Sequence, residues 1–208
     1  MKKTHQLKVV SFLASGRGSN FQAVADKIKT GFIPAKPGIL ICDKPDALAF
    51  EKAKKLGIDS EFVDPGRYAS KTDYEKEIIR IMDSVETDFI VAAGYMRILS
   101  PHIISAYRNR MINIHPSLLP SFAGKDAQRQ AIEYGVRITG CTTHFIDEGM
   151  DTGPVILQRS VNIDKDDTVA TLSERILKEE HIILPLTVKL LCEGRIQVEE
   201  RRVIINNQ

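Results

Sequence analysis

Residues 7–14 read LKVVSFLA, and residues 15–20, which follow directly, read SGRGSN. The first stretch is a short, apolar and β-branched run of the kind that forms a strand buried on both faces. After the glycine-containing stretch, apolar residues recur at helical spacing in Phe21, Val24 and Ile28. A strand, a loop and a helix in this order predict the first unit of a parallel sheet covered by helices.

The first half of the chain repeats this order about four times. Apolar strands are expected at residues 38–42, 61–63, 88–94 and 111–114, with helices between them at residues 47–56, 74–85 and 101–107. Because these strands are continuous apolar runs rather than alternating ones, we expect helices on both faces of the sheet. Such a pattern is typical of a doubly wound α/β sheet.

The second half of the chain has a different pattern. Residues 138–147 alternate between two faces, and residues 155–163 form a second strand that is expected to pair with them antiparallel. A long helix is expected from about Thr168 to about Cys192, followed by a hairpin or edge strand at residues 195–205. The sequence therefore predicts a single-domain α/β fold with a mostly parallel, doubly wound (Rossmann-like) sheet, an antiparallel C-terminal part and a long C-terminal helix.

Composition excludes several classes of protein. Among 208 residues, 29 basic and 27 acidic side chains give a net charge of +2, which argues against a broad nucleic-acid-binding face. No apolar run approaches the roughly 20 residues of a membrane-spanning helix. The three cysteines are far apart and form no C-x-x-C pair, so neither a disulfide framework nor a zinc site is indicated. We expect a cytoplasmic protein without nucleic-acid or membrane partners.

The loop at residues 15–20 is the first candidate site. Its two glycines let the backbone approach a ligand, and the start of the next helix presents free N–H groups to an anion. Ser19 and Asn20 add side-chain donors, so we interpret the loop as a phosphate cradle. Two alternatives stay open. One is a plain tight turn with a helix cap, and the other is a dinucleotide site with Asp43, although Phe21 stands in place of the third glycine.

Residues 113–120, NIHPSLLP, form the second candidate site. Residues two apart share a face of a strand, so Asn113 and His115 are expected to project together. Pro116 ends the strand, which leaves this pair at the carboxyl edge where open α/β sheets bind ligands. An amide beside an imidazole can polarise a carbonyl and stabilise an oxyanion, although a lone histidine is more often structural.

The third candidate is the expected loop at residues 147–154, DEGMDTGP. Asp151 precedes Thr-Gly-Pro and then a strand. Near an imidazole, its carboxylate would raise the pKa of the ring and could accept or relay a proton. Metal binding by His115, His144 and Asp151 has no supporting ligand spacing. A nucleophilic role for Ser117 lacks the Gly-x-Ser-x-Gly elbow.

Taken together, these motifs resemble the folate-dependent formyltransferase superfamily, and within it the phosphoribosylglycinamide formyltransferase (glycinamide ribonucleotide transformylase) family. The resemblance rests on residues 15–20, 94–100 (GYMRILS), 113–120 and 151–154, in family order and spacing, and covers roughly residues 9–195. It implies one formyltransferase domain over residues 1–208. It also implies transfer of a formyl group from 10-formyltetrahydrofolate, as co-substrate, to the amine of glycinamide ribonucleotide in de novo purine biosynthesis.

The resemblance also implies a mechanism. The amine would attack the formyl carbon directly, while Asn113 and protonated His115 stabilise the oxyanion. Asp151 would hold His115 charged and take up the amine proton through a water molecule. Neither a metal nor a covalent enzyme intermediate is expected.

Binding residues are carried over from the resemblance as well. Those implied for glycinamide ribonucleotide are Gly18, Ser19, Asn20 and Glu180. Those implied for the folate are Lys71, Met96, Arg97, Ile98, Leu99 and Asn113. Helical periodicity alone predicts a solvated Glu180, so this assignment depends on the resemblance.

The chain departs from the family pattern at residues 124–129, which replace a histidine-containing stretch of some members, and at Leu177, where some relatives have lysine. No role is carried over at these positions. Two alternatives remain on the same fold, a 10-formyltetrahydrofolate hydrolase and a non-catalytic nucleotide-binding module. The expected partners are small-molecule substrates, and the expected assembly is a monomer or homodimer.

Overall fold

The computed structural model describes residues 6–206. Its strands are β1 (Lys8–Ala14), β2 (Ala35–Cys42), β3 (Asp59–Phe62), β4 (Phe89–Ala92), β5 (Met111–His115), β6 (Ile138–Phe145), β7 (Val155–Asn162), β8 (Ile196–Glu199) and β9 (Arg202–Ile205). Its α-helices are α1 (Ser19–Lys29), α2 (Ala49–Leu56), α3 (Lys71–Ser84), α4 (Pro101–Ala106), α5 (Ala127–Tyr134) and α6 (Val169–Cys192), and a short 3-10 helix spans Pro65–Arg67.

Seven strands form one sheet in the order β3-β2-β1-β4-β5-β6-β7. Strands β1 to β5 pair in parallel, whereas β6 is antiparallel to both β5 and β7. Strands β8 and β9 form a separate antiparallel hairpin. The predicted fold class is therefore confirmed, including the antiparallel part and the long C-terminal helix.

Helices cover both faces of the sheet, and each face has its own apolar core. Phe12 and Leu13 are neighbours in β1, so their side chains point to opposite faces. Phe12 packs in a cluster that also holds buried residues of α1, α2 and α6. Leu13 packs in a second cluster with buried residues of α3 and α4. This division explains why the first strands read as continuous apolar runs.

The order of the strands places a crevice at one edge of the sheet. From β1 the chain moves outward to β2 and β3, and it then returns to the other side of β1 with β4 and β5. The loops after β1 and β4 consequently lead to helices on opposite faces of the sheet. Ligands of open α/β sheets bind between such loops, at the carboxyl edge.

Two helices show what the sequence pattern could and could not indicate. Helix α6 begins where the sequence predicts it. Thr168 caps this helix, since its hydroxyl accepts a hydrogen bond from the amide of Thr171. Helix α5 was not predicted, since it has only eight residues and its sequence carries few apolar positions. Within residues 6–206, no helix combines the length and apolarity needed to cross a membrane.

Candidate active site

The loops after β1 and β4 are joined by hydrogen bonds at the carboxyl edge of the sheet. The amide of Ser15 donates to the carbonyl of Gly94 at 3.1 Å, and the hydroxyl of Ser15 accepts from the amide of Met96 at 2.9 Å. Strand β5 pairs with β4 and ends at His115 at this same edge. Three separate sequence motifs thus meet where the topology predicts a ligand site.

His115 and Asp151 form a buried pair. Nδ1 of His115 lies 3.2 Å from Oδ2 of Asp151, and the two side chains are 5% and 14% exposed. Nε2 of His115 donates to the carbonyl oxygen of Phe122 at 2.8 Å, because a carbonyl can only accept. Both ring nitrogens therefore face oxygen acceptors.

Asn113 faces the same carboxylate from β5. Its amide nitrogen lies 3.4 Å from Oδ1 of Asp151 and 3.3 Å from Nε2 of His144. Nδ1 of His144 donates to the carbonyl of Phe145 at 2.8 Å, and burial lowers the pKa of His144. A neutral His144 with its proton on Nδ1 leaves Nε2 free to accept a hydrogen bond from the Asn113 amide. This bond uses one N–H of the amide and leaves the other N–H directed at the carboxylate.

Asp151 is held in place by the backbone around it. Its own φ of +54° is unusual for a residue with a side chain, and its Oδ2 accepts a hydrogen bond from the amide of Gly124 at 2.9 Å. The guanidinium of Arg201, in the turn between β8 and β9, donates to the carbonyl of Thr152 at 2.8 Å. The C-terminal hairpin thus contacts the loop that carries Asp151.

The glycine-containing loop enters α1 through Gly18, which has a φ of +64°. A Cβ atom at this position would lie 2.7 Å from Cβ of Ala49, so both the conformation and the approach of α2 require glycine. Gly18 is the N-cap residue of α1 and has no side chain to cap the helix. The first amides of α1, including those of Ser19 and Asn20, are consequently available to an anion.

Glu180 lies against this loop, although helical periodicity predicts a solvated side chain. It is only 7% exposed, and its Oε2 accepts a hydrogen bond from the side-chain amide of Asn20 at 2.7 Å. Burial raises the pKa of Glu180, an effect that the Asn20 bond and the charge of Arg17 oppose. The periodicity-based expectation is wrong because α6 packs against α1 at this point.

Residues 96–99 follow β4 as an irregular segment. Met96 and Ile98 are 69% and 61% exposed, whereas Leu99 is 7% exposed and belongs to the core that α3 and α4 share. Arg97 lies over the ring of Tyr74 at 5.4 Å. The segment therefore presents two apolar side chains and its backbone to solvent, while the side chain of Leu99 anchors it.

Lys71 is the first residue of α3 and is exposed. Three residues later, the hydroxyl of Tyr74 is 2.7 Å from the hydroxyl of Tyr95, which directly precedes Met96. These contacts place the start of α3 beside the segment at residues 96–99. Residues 6–206 contain no group of three or more His, Cys, Asp or Glu side chains arranged to hold a metal ion.

The formyl transferase family matches residues 7–188 of this sequence. The chain belongs to the formyl transferase family. It is 43% identical over 185 residues to the phosphoribosylglycinamide formyltransferase of Bacillus subtilis, covering 89% of this chain and 95% of the relative. It is 40% identical to part of the human trifunctional purine biosynthetic protein adenosine-3, covering 92% of this chain but 19% of the human protein.

Solved structures agree with the fold of this formyl transferase. The glycinamide ribonucleotide transformylase 1 of Symbiobacterium toebii superposes with a TM-score of 0.97 at 41% identity. That match covers 100% of this chain and 98% of the other. The family and the fold that the sequence motifs indicated are thereby confirmed.

The sequence pointed to no role for His144 other than that of a metal ligand, which no ligand spacing supported. It stands directly opposite Asn113 in the antiparallel pairing of β5 and β6. The alternation of residues 138–147 placed its side chain on one face of a strand, but the register against β5 was needed to bring it to Asn113. The backbone of Phe122 and Gly124 was missed for a similar reason, because its role depends on a turn conformation.

Proposed function

We propose that this formyl transferase moves the formyl group of 10-formyltetrahydrofolate to the amine of glycinamide ribonucleotide. The products would be formylglycinamide ribonucleotide and tetrahydrofolate, within de novo purine biosynthesis. The observation that carries the proposal is the cluster of Asn113, buried His115 and Asp151 at the carboxyl edge of the sheet, where the contacts to the Asp151 carboxylate are 3.2 to 3.4 Å. The names of the relatives supply the two substrates.

In the first step, the neutral amine attacks the formyl carbon and forms a C–N bond, which places negative charge on the formyl oxygen. We propose that this oxygen accepts hydrogen bonds from the amide of Asn113 and from Nδ1–H of His115, the two donors that the structure directs at the carboxylate oxygens of Asp151. Nε2–H of His115 stays on the carbonyl of Phe122. Donors fixed before the reaction stabilise an oxyanion without the cost of reorienting solvent.

In the second step, Asp151 removes the proton from the attacking nitrogen through a water molecule, and the bond between the formyl carbon and N10 of the folate breaks. N10 ends with the proton, so the overall reaction neither consumes nor releases one. Until it takes up that proton, the carboxylate of Asp151 pairs with Nδ1 of His115 at 3.2 Å.

The substrates have two separate surfaces available. The amides of Ser19 and Asn20, with the turn at Gly18, suit the nucleotide phosphate, and the buried Glu180 would contact the same substrate. The folate would lie on residues 96–99 and Asn113, with Lys71 near its acidic tail. The exposed apolar side chains of Met96 and Ile98 support this placement.

Release of tetrahydrofolate, measured with and without glycinamide ribonucleotide, tests the proposal. We expect release only when the nucleotide is present. Release without the nucleotide would indicate a hydrolase, and ligand binding without release in either case would indicate a binding module.

A single formyltransferase domain over residues 1–208, a cytoplasmic location and a monomer or homodimer stay predictions of the sequence. So do the absence of a metal and of nucleic-acid or membrane partners. They are compatible with an enzyme that acts on two small molecules.

A further inference from the structure

The turn before α5 holds both members of the His115–Asp151 pair through backbone atoms. The carbonyl of Phe122 accepts from Nε2 of His115 at 2.8 Å, and the amide of Gly124 donates to Oδ2 of Asp151 at 2.9 Å. We call residues 122–126 the bracing segment. It fixes the imidazole from one side and the carboxylate from another, with a single residue between the two contacts.

The bracing segment has an unusual backbone. Phe122, Gly124 and Asp126 have φ values of +56°, +84° and +56°, so every second residue lies in the left-handed region. Residues with a side chain adopt this region at a cost in free energy, and such conformations persist only where surrounding contacts impose them. A specific contact must therefore hold the segment.

Gln130 supplies that contact from the first half of α5. Its side-chain nitrogen donates to the carbonyl of Lys125 at 2.8 Å and to the carbonyl of Ala123 at 3.3 Å. These two carbonyls lie on either side of Gly124. The side-chain amide of Gln130 therefore bridges the residues on either side of Gly124, whose own N–H donates to Asp151. The ring of Phe122 adds an edge-to-face contact with Tyr134, at 5.9 Å between centroids.

We propose that Gln130 is a positioning residue for the formyl transfer, holding the bracing segment so that Gly124 and Phe122 orient Asp151 and His115. This inference rests on the proposed function. Gln130 touches neither side chain directly and acts through the backbone. Small displacements of catalytic groups lower the rate strongly while leaving substrate contacts in place, so its effect belongs on kcat rather than on KM.

Two variants of Gln130 test the proposal. Gln130→Ala removes both donated hydrogen bonds, and Gln130→Glu keeps the shape of the side chain but places acceptor oxygens against two carbonyls. We expect each to lower kcat by about tenfold or more, with both KM values within about twofold of wild type. Arg129→Ala, at an exposed position of the same helix, is the control and should keep the wild-type kcat.

A second measurement does not depend on the reaction. Exchange of the Gly124 amide with solvent, followed by NMR, should be faster in both Gln130 variants by about tenfold or more. Unchanged kcat and unchanged Gly124 exchange would overturn the proposal. A loss of kcat accompanied by similar fold-changes in both KM values and by a lower midpoint of thermal unfolding would also overturn it. Such a result would indicate a merely structural role.

Failure of the proposed function is distinguishable from failure of this inference. If wild-type protein does not formylate glycinamide ribonucleotide, the proposed function fails, and Gly124 exchange still decides whether Gln130 holds the segment. If Gln130→Ala does not fold, Gln130→Glu provides the same comparison.

Discussion

Two regions at the same edge of the sheet are built in opposite ways. One is the cluster of Asn113, His115 and Asp151, which we propose performs the chemistry, and the other is the segment at residues 96–99, which we propose binds the folate. Asn113, His115 and Asp151 are fixed by cross-strand pairing and by backbone groups of the turn before α5. In the segment at residues 96–99, Met96 and Ile98 are more than half exposed and only Leu99 reaches the core. One region is held by the protein itself, whereas the other has apolar area left to cover.

This difference separates chemistry from binding. Groups that stabilise a developing charge work best when they are oriented before the reaction. A protein surface that binds a flat, largely apolar ring gains affinity from the apolar area that binding removes from water. Variants in the first region should therefore change kcat, and variants in the second should change KM for the folate.

The largest effect is expected for His115→Ala. Loss of the imidazolium removes a donor and a positive charge beside the oxyanion, so kcat should fall by at least about 100-fold. Steady-state kinetics with both substrates checks this, and His102→Ala, an exposed histidine of α4, serves as the control. Near-normal turnover would remove His115 from the mechanism.

Asp151→Asn should follow in size. The amide oxygen can still accept from Gly124, but the neutral group neither takes the amine proton nor supports a charged His115, so kcat should fall by roughly 10- to 100-fold. Asp166→Asn, exposed in the turn before α6, is a matched control. A change confined to substrate affinity would contradict the proton role.

Within the segment at residues 96–99, exposed and buried side chains should behave differently. Met96→Ala and Ile98→Ala should raise KM for the folate severalfold and leave the free energy of unfolding within about 0.5 kcal/mol, because both side chains are exposed. Leu99→Ala should instead cost about 2 to 5 kcal/mol of unfolding free energy. Urea unfolding and folate kinetics on all three variants measure both quantities. Equal destabilisation by all three would contradict this division.

Glu180→Gln should have the smallest effect on turnover but a distinct pH signature. Burial raises the pKa of Glu180 above its ordinary value of 4.5, so the folded protein binds this proton more tightly than the unfolded chain does. The unfolding free energy of the wild-type protein therefore decreases as pH rises from about 4.5 through the raised pKa. The glutamine variant lacks this loss.

Urea unfolding of both proteins across that pH range measures the difference. The unfolding free energy of Glu180→Gln, relative to wild type, should increase as pH rises and level off above the raised pKa. A difference that does not vary with pH would mean that burial of Glu180 carries no such cost. If Glu180 contacts the nucleotide, KM for that substrate should rise while KM for the folate stays unchanged.

The sequence predicted those parts of the molecule that local pattern determines. Apolar runs located the parallel strands, and the spacing of Asn113 and His115 placed both side chains at the end of β5. Three features depended on tertiary packing instead. His144 needed the register of β6 against β5, Glu180 needed the packing of α6 on α1, and the turn at Phe122 needed left-handed backbone that no residue type there signals except Gly124.

We propose that the formyl group passes from the folate to the nucleotide amine and not to water. The most direct measurement uses 10-formyltetrahydrofolate labelled with carbon-13 in the formyl group and follows that carbon by NMR in the presence of glycinamide ribonucleotide. We predict that the label appears in the formamide of the nucleotide product as tetrahydrofolate forms. Accumulation of the label as free formate would mean that the formyl group passes to water, and it would contradict the proposed function.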